Sequence, residues 1–347
     1  VFLENLGADE VLRQLIQPRV CEGLELGRVC FASHEQFSIY LESGEHDAVP
    51  AGRLRWDDVL PAVGDWVAAR KVDRSFALIE EVLPRRTRFS RAAAGSALRQ
   101  QVIAANIDLA MIVCGLDYDF NLRRIERYLV LARESKAETL IVLNKADLCT
   151  NCEENAAAVA AIALGSPVLL LSALQSVQRL RPFTQGKTVA LLGSSGAGKS
   201  TIVNGLLGDE RQRTSEVRER DSRGRHTTTS RMLIPLPGGG ALIDNPGMRE
   251  LRLWASESSV DDVFAEIATL AGRCRFGDCT HTSEPRCAVQ AALESGQIEP
   301  ARWRSYQKLE GELQHQLRQQ DRQAMLAQKK KWKAAHKALR NHPKYRR

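Results

Sequence analysis

A chain of 347 residues with 44% hydrophobic and 26% charged side chains can bury more than one core, and two or three domains are expected. No run of about 18 apolar residues occurs, which excludes a helical membrane span. The formal charge of +7 is uneven: Arg302 to Arg347 carries fourteen Lys/Arg against three Asp/Glu, or +11, leaving −4 for the rest, and such a tail suits a polyanion whose phosphates release counterions on contact.

At the amino end, Glu4, Asp9 and Glu10 stand where a signal peptide needs basic and then apolar residues, so a cytoplasmic protein is expected. Val1 in place of an initiator Met points to a trimmed end. From Leu24 to Leu83, short apolar runs at Gly27–Phe31, Phe37–Leu41, Asp65–Ala69 and Phe76–Ile79 are separated by Gly44, Pro50, Gly52, Pro61 and Gly64. About five short strands in this span predict a small OB-like barrel, a fold that serves nucleic-acid binding and plain scaffolding alike. Domain one is therefore expected over 1–84.

Leu83 to Arg88 reads as a basic linker, and the small-residue stretch Ala92 to Ala97 as a flexible one. The rhythm then changes. Apolar strands at Ile107–Leu116, Thr139–Leu143, Val168–Leu171 and Thr188–Leu192, with a helix over Leu122–Ala132, predict a mostly parallel sheet covered on both faces. This second domain is expected over 85–250.

Two boxes at strand ends carry its chemistry. Asn144-Lys145-Ala146-Asp147 follows one strand, and its Asp147 carboxylate matches the N1 and 2-amino donors that guanine has and adenine lacks. The Lys145 stem is expected to cover the ring. Ser172 and Ala173, at the end of the next strand, are expected to bring the Ala173 N–H toward the guanine O6. Gly193-Ser194-Ser195-Gly196-Ala197-Gly198-Lys199-Ser200 follows the strand Thr188–Leu192 and opens a helix through Thr201, Ile202 and Val203. Its glycines let backbone N–H groups wrap phosphates, Lys199 neutralises the β and γ oxygens, and Ser200 offers Mg2+ a hard oxygen. Together the boxes predict GTP and GDP as ligands. Their order is inverted relative to ordinary GTPases, which implies circular permutation.

Farther along, Asp244-Asn245-Pro246-Gly247 closes the strand Leu242–Ile243 and fits a carboxylate near Mg2+ with a glycine N–H at the γ-phosphate. Arg225-His226-Thr227-Thr228-Thr229 lies before it, and one of the three threonines is a Mg2+ ligand candidate. These loops have the makeup of a γ-phosphate switch. The position where many small GTPases carry a water-orienting glutamine is Met248, so unaided hydrolysis is expected to be slow.

The last part, 251–347, reads as helical: Val260–Leu270, Ala288–Leu293, and a long helix from near Pro300 without Gly or Pro between Glu312 and Asn341. Beyond Gln328 it is so basic that order on a partner is expected. Cys274, Cys279, His281 and Cys287 supply three thiolates and an imidazole, enough for one closed structural Zn2+ site. Cys21, Cys30, Cys114, Cys149 and Cys152 read as reduced core residues.

With these boxes placed, nearly the whole chain resembles the RsgA (YjeQ) family of ribosome small-subunit-dependent GTPases. Pro61–Val67, Asp119–Tyr128, the permuted box order and Cys274–His281 carry the likeness. The resemblance implies an OB barrel, a permuted P-loop GTPase and a zinc-bearing helical domain that engage the 30S subunit and its 16S rRNA late in maturation. It also implies a monomer without membrane attachment and hydrolysis stimulated by the subunit. From the family come Thr228 as the Mg2+ ligand and His226 as the residue positioning water, beside Lys199. Two other readings stay open: an RNA-binding switch with little turnover, consistent with Met248, and an ATPase, which Asp147 disfavours.

Overall fold

The computed structural model describes residues 2–33, 36–56, 59–93, 96–208, 231–244 and 255–341. They fall into two compact units, Val1–Phe89 with Val102–Leu251, and Ser90–Gln101 with Arg252–Arg347.

The first unit opens with α1 (Phe2–Asn5) and α2 (Glu10–Val20). Asp9 caps α2 by accepting the Leu12 N–H at 3.0 Å, which satisfies one of the helix's orphan donors. β1 (Glu25–Ala32), β2 (Phe37–Leu41), β3 (Gly44–Pro50), α3 (Gly52–Trp56), β4 (Trp66–Lys71) and β5 (Phe76–Val82) follow. The strands pair in the order β1-β2-β3-β5-β4 and β4 returns to β1, with β3 and β5 parallel and the other neighbours antiparallel. This closed path is the expected OB-type barrel, filled by Val29, Ile39, Leu41, Val67, Ala77 and Ile79, all with no exposed surface. The sequence reading left β3 among the turn signals. Its Glu45, His46 and Asp47 obscure the strand, which alternates in burial and leans on β2 and β5.

The segment expected to be a basic linker is anchored. Arg85 bonds the buried Asp65 at 2.7 and 2.6 Å, and Asp65 also accepts the Ala62 N–H at 2.8 Å. Burial pushes the Asp65 carboxyl up, with the Arg85 guanidinium opposing. β6 (Arg88–Ala93) and β7 (Ser96–Ala105) then pair as a two-stranded sheet. The small-residue stretch is thus largely strand, with residues 94 and 95 outside the description. Strand pairing uses backbone groups, to which side-chain size is a weak guide.

The α/β part consists of β8 (Leu109–Gly115), α4 (Leu122–Ser135), β9 (Glu138–Asn144), α5 (Cys152–Ile162), β10 (Val168–Leu170), α6 (Ala173–Ser176), α7 (Arg181–Thr184), β11 (Thr188–Leu192), α8 (Lys199–Leu207), β12 (Arg231–Pro235) and β13 (Ala241–Asp244). The strand order is β10-β9-β8-β11-β13-β12, parallel except for β12. β9 ends in the base box and β11 in the phosphate loop. Only β8 lies between them, although their chain order is inverted. The sheet continues into the barrel, because β12 pairs antiparallel with β1 at Phe31↔Met232 and Ala32↔Arg231. Barrel and α/β sheet therefore share one unit.

In the second unit, α9 (Glu257–Val263) and α10 (Ala265–Ala271) replace the single helix expected over Val260–Leu270. The break falls at Phe264, whose backbone leaves the helical region while its fully buried ring packs edge-on against Tyr306 at 5.5 Å. α11 (Ala288–Glu294) and α12 (Pro300–Asn341) complete it. Arg302 ties α12 to α9 and α10 by stacking over Phe264 at 4.4 Å, bonding the Val263 carbonyl at 2.7 Å and pairing with Glu266 at 2.6 Å. At 42 residues, α12 spans about 63 Å. Among the described residues no helix is long and apolar enough to cross a membrane.

Candidate nucleotide site and metal centre

At the carboxyl edge of the sheet, the loop after β11 turns on two glycines. Gly193 has φ 149°, and a Cβ there would stand 2.2 Å from the Val113 carbonyl oxygen of β8. Gly198, at φ 94°, would drive a Cβ to 2.1 Å from the Asn144 side-chain nitrogen. Any side chain at either position would push the loop off the strands that seat it. The Lys199 ammonium reaches back over the loop, donating to the Gly193 carbonyl at 2.8 Å and to that of Ser194. Phosphate oxygens entering the loop would compete for those protons. Ala197 is buried, Thr201 half-buried, and Ser195, Gly196 and Ser200 exposed.

Asn144, 2% exposed, joins the boxes. Its amide donates to the Ala197 carbonyl in the phosphate loop at 3.0 Å, and its carbonyl accepts the Ala173 N–H at 2.9 Å. One buried side chain thus spans three strand-end loops. The Ala173 N–H, expected to face a purine oxygen, is instead held by Asn144. The Ser172 hydroxyl is buried and has no hydrogen-bond partner among the described residues. Lys145 adopts φ 62° and its ammonium pairs with Asp117. Asp147 lies exposed in the 3-10 turn Ala146–Leu148.

Two carboxylates that the sequence reading gave no role complete the rim. Lys145 beside Asp117 holds that carboxyl below its usual range. Asp119 accepts from the Ser194 hydroxyl of the phosphate loop and pairs with Arg124 at the start of α4. Burial works against the charged form of Asp119, yet the Ser194 and Arg124 bonds prevail and lower its pKa. The signal was in the sequence: an Asp-x-Asp just past the carboxyl end of β8, where α/β sheets bind ligands. Asp244 ends β13 on the same edge, half-buried. His226, Thr227, Thr228, Thr229, Gly247 and Met248 lie outside the described residues.

In the second unit Cys274, Cys279, His281 and Cys287 come together, with all four ligand atoms within 4.8 Å of one another. Cys274 Sγ lies 3.8 Å from Cys287 Sγ and 3.5 Å from His281 Nδ1, and His281 Nδ1 lies 3.4 Å from Cys287 Sγ. A tetrahedral zinc with bonds of about 2.3 Å to sulfur and about 2.0 Å to nitrogen requires edges of roughly 3.8 Å and roughly 3.5 Å, which these three separations match, and the Cys279 Sγ lies within 4.8 Å of each of the other ligand atoms. Burial opposes ionisation of Cys274, but the Ala288 and Val289 N–H groups at the first turn of α11 and the neighbouring thiols lower its pKa. Glu284 shapes the loop by accepting the Thr280 and Thr282 N–H groups at 2.9 Å each. Trp303 of α12 packs edge-on against the His281 ring at 5.8 Å. No open ligand position is needed, as in a structural centre.

The RsgA GTPase family model matches residues 82–254. A small ribosomal subunit biogenesis GTPase RsgA from Opitutus terrae is 46% identical over 356 residues, covering 97% of this chain and 97% of that protein. One from Leptospira interrogans is 44% identical over 331 residues, covering 94% and 92%. Among solved structures, YjeQ from Thermotoga maritima aligns with TM-score 0.61 at 24% identity over 84% of this chain and 99% of that one. YloQ, described as a circularly permuted GTPase, aligns at 0.57 and 23% over 86% and 96%. These two likenesses speak for the fold, and the sequence relatives for the family. With the permuted strand order, the barrel before it and the Cys3His cluster after it, the chain belongs to the RsgA family of circularly permuted GTPases.

Proposed function

We propose that the chain binds the 30S ribosomal subunit through 16S rRNA late in its maturation and hydrolyses GTP to GDP and phosphate there, as a cytoplasmic monomer, with subunit-stimulated hydrolysis driving its release. The observation that carries the nucleotide reading is Asn144, which bonds both the phosphate loop and the Ser172-Ala173 loop and so fixes the base and phosphate pockets at one spacing. Asn144, Lys145 and Asp147 would hold the guanine with Ser172 and Ala173 behind it. The loop from Gly193 through Gly198, with Lys199, Ser200 and Thr201, would hold the phosphates, and Asp244 and Gly247 would sense the γ-phosphate.

Mg2+, held by Ser200 and Thr228, would neutralise charge on the β and γ oxygens. Lys199 supplies a second positive charge there, exchanging its loop carbonyls for phosphate oxygens. Since Met248 cannot orient water, His226 takes that role, once its loop is docked on the subunit. Zn2+ held by Cys274, Cys279, His281 and Cys287 would fold the carboxyl-terminal part and do no chemistry. Three functional divisions follow, 1–84, 85–250 and 251–347, and the last presents the basic half of α12 to RNA.

The test is multiple-turnover GTPase activity titrated with purified 30S subunits. Slow basal turnover rising at least tenfold, and loss of that rise in His226→Ala, are expected. Absence of stimulation would refute the subunit reading, and full stimulation of His226→Ala would refute that residue's role.

A further inference from the structure

Cys149 and Cys152 stand where the turn carrying Asp147 meets α5. Both are half-buried and reduced, and neither belongs to the Cys3His cluster. The Cys152 thiol donates to the carbonyl oxygens of Ala146 at 3.3 Å and Cys149 at 3.2 Å, which holds both cysteines on one turn. The Asn155 amide, one turn into α5, donates to Cys149 Sγ at 3.5 Å. Two carbonyls thus hold the Cys152 hydrogen, whereas Cys149 Sγ meets a donor. Partial burial, and then the Cys149 sulfur, raise the Cys152 thiol above its ordinary pKa.

We propose that Cys149 and Cys152 form a reversible disulfide whose closure weakens guanine-nucleotide binding. The oxidant is a small-molecule disulfide. Cys149 gives up its proton and attacks one of its sulfurs, forming a mixed disulfide and expelling a thiolate that takes up a proton. Cys152 then gives up its proton and attacks the Cys149 sulfur, expelling the second thiolate. Two protein thiols lose two electrons, and the small disulfide becomes two thiols.

Closure costs the pocket an anchor. The Cys152 sulfur loses the hydrogen it donates to Ala146 and is drawn toward Cys149. Ala146 belongs to the base box and is tied to the next strand by its N–H to the Leu171 carbonyl at 3.1 Å. Asp147 follows it directly. The inference rests on Asp147 reading the guanine.

The test uses the full zinc-loaded chain equilibrated in mixtures of reduced and oxidised glutathione. After alkylation and trypsin, the peptide Ala146–Arg179 holds these two cysteines and no other. At oxidising ratios it is expected to escape alkylation and weigh two hydrogens less, reversibly, while affinity for fluorescent GDP falls about tenfold, the worth of one charge-assisted hydrogen bond. Cys149→Ser, which removes the attacking thiol, should bind GDP equally at every ratio, and Cys152→Ser, which keeps a donor to Ala146 but cannot resolve the mixed disulfide, should yield this peptide carrying glutathione and never the form two hydrogens lighter. A doubly alkylated peptide throughout, or unchanged affinity in the oxidised protein, would overturn the proposal. The base reading is tested apart in reduced Asp147→Asn: lost guanine preference upholds it, and retained preference refutes it.

Discussion

Asn144 shows how much a single buried amide can organise. Replacing it with alanine leaves the Ala197 carbonyl and the Ala173 N–H without their partner in a dry site, at about 1–3 kcal/mol for each unsatisfied group. Because those groups lie on loops, the loss appears as pocket disorder rather than unfolding. We expect Asn144→Ala to lower GDP affinity by at least about tenfold with far-UV circular dichroism unchanged, measured by fluorescent-nucleotide titration. Asp119 works from the other side of the phosphate loop. Its carboxyl is lowered in the folded state, so its contribution is present above the ordinary aspartate range and is lost as pH falls through the lowered value. The hold on Ser194 is therefore intact at neutral pH. The sequence shows both residues, but the box pattern singles out only Asn144, because the partner of Asp119 sits 75 residues away.

Among the elements, the turn into β4 decides how the barrel meets the α/β sheet. Gly64 has φ 89°, and a Cβ there would lie 2.2 Å from the Ala105 carbonyl oxygen at the end of β7. That oxygen cannot retreat freely, because the Ala105 N–H is bonded to Val63 at 2.9 Å and the Asn106 amide to the Gly64 carbonyl at 3.1 Å. Arg28 of β1 reinforces the joint, fully buried under Trp66 and bonded to Thr188 at the foot of the phosphate-loop strand at 2.7 Å. Gly64→Ala should cost more than about 2 kcal/mol in urea unfolding, from backbone strain plus the clash. Gly44→Ala, with φ 118° and open space around it, should lose only the strain part. The glycine is plain in the sequence, but the carbonyl that forbids a side chain there is not.

At the scale of the whole molecule, metal and fold are linked in the second unit, where the Cys3His cluster joins the end of α10 to the start of α11 and packs against Trp303 of α12. Removing zinc with a chelator on mild heating should abolish hydrogen-exchange protection in α10 and α11 while the central sheet keeps its own. Zinc-free native protein by elemental analysis would refute the site. The sequence by itself determined the inverted boxes, the barrel's run of short strands, the ligand set of the metal centre and the charge of α12. Each is a local pattern of residue types, and local chemistry needs no partner to be read. It misassigned the hairpin of β6 and β7, β3 and the break at Phe264, whose states are set by groups distant in the chain. Only the tertiary structure decided that β12 joins barrel and sheet, that β8 alone separates the strands ending in the two boxes, and that Asn144 ties their loops, because pairing and burial bring together residues that no sequence spacing relates.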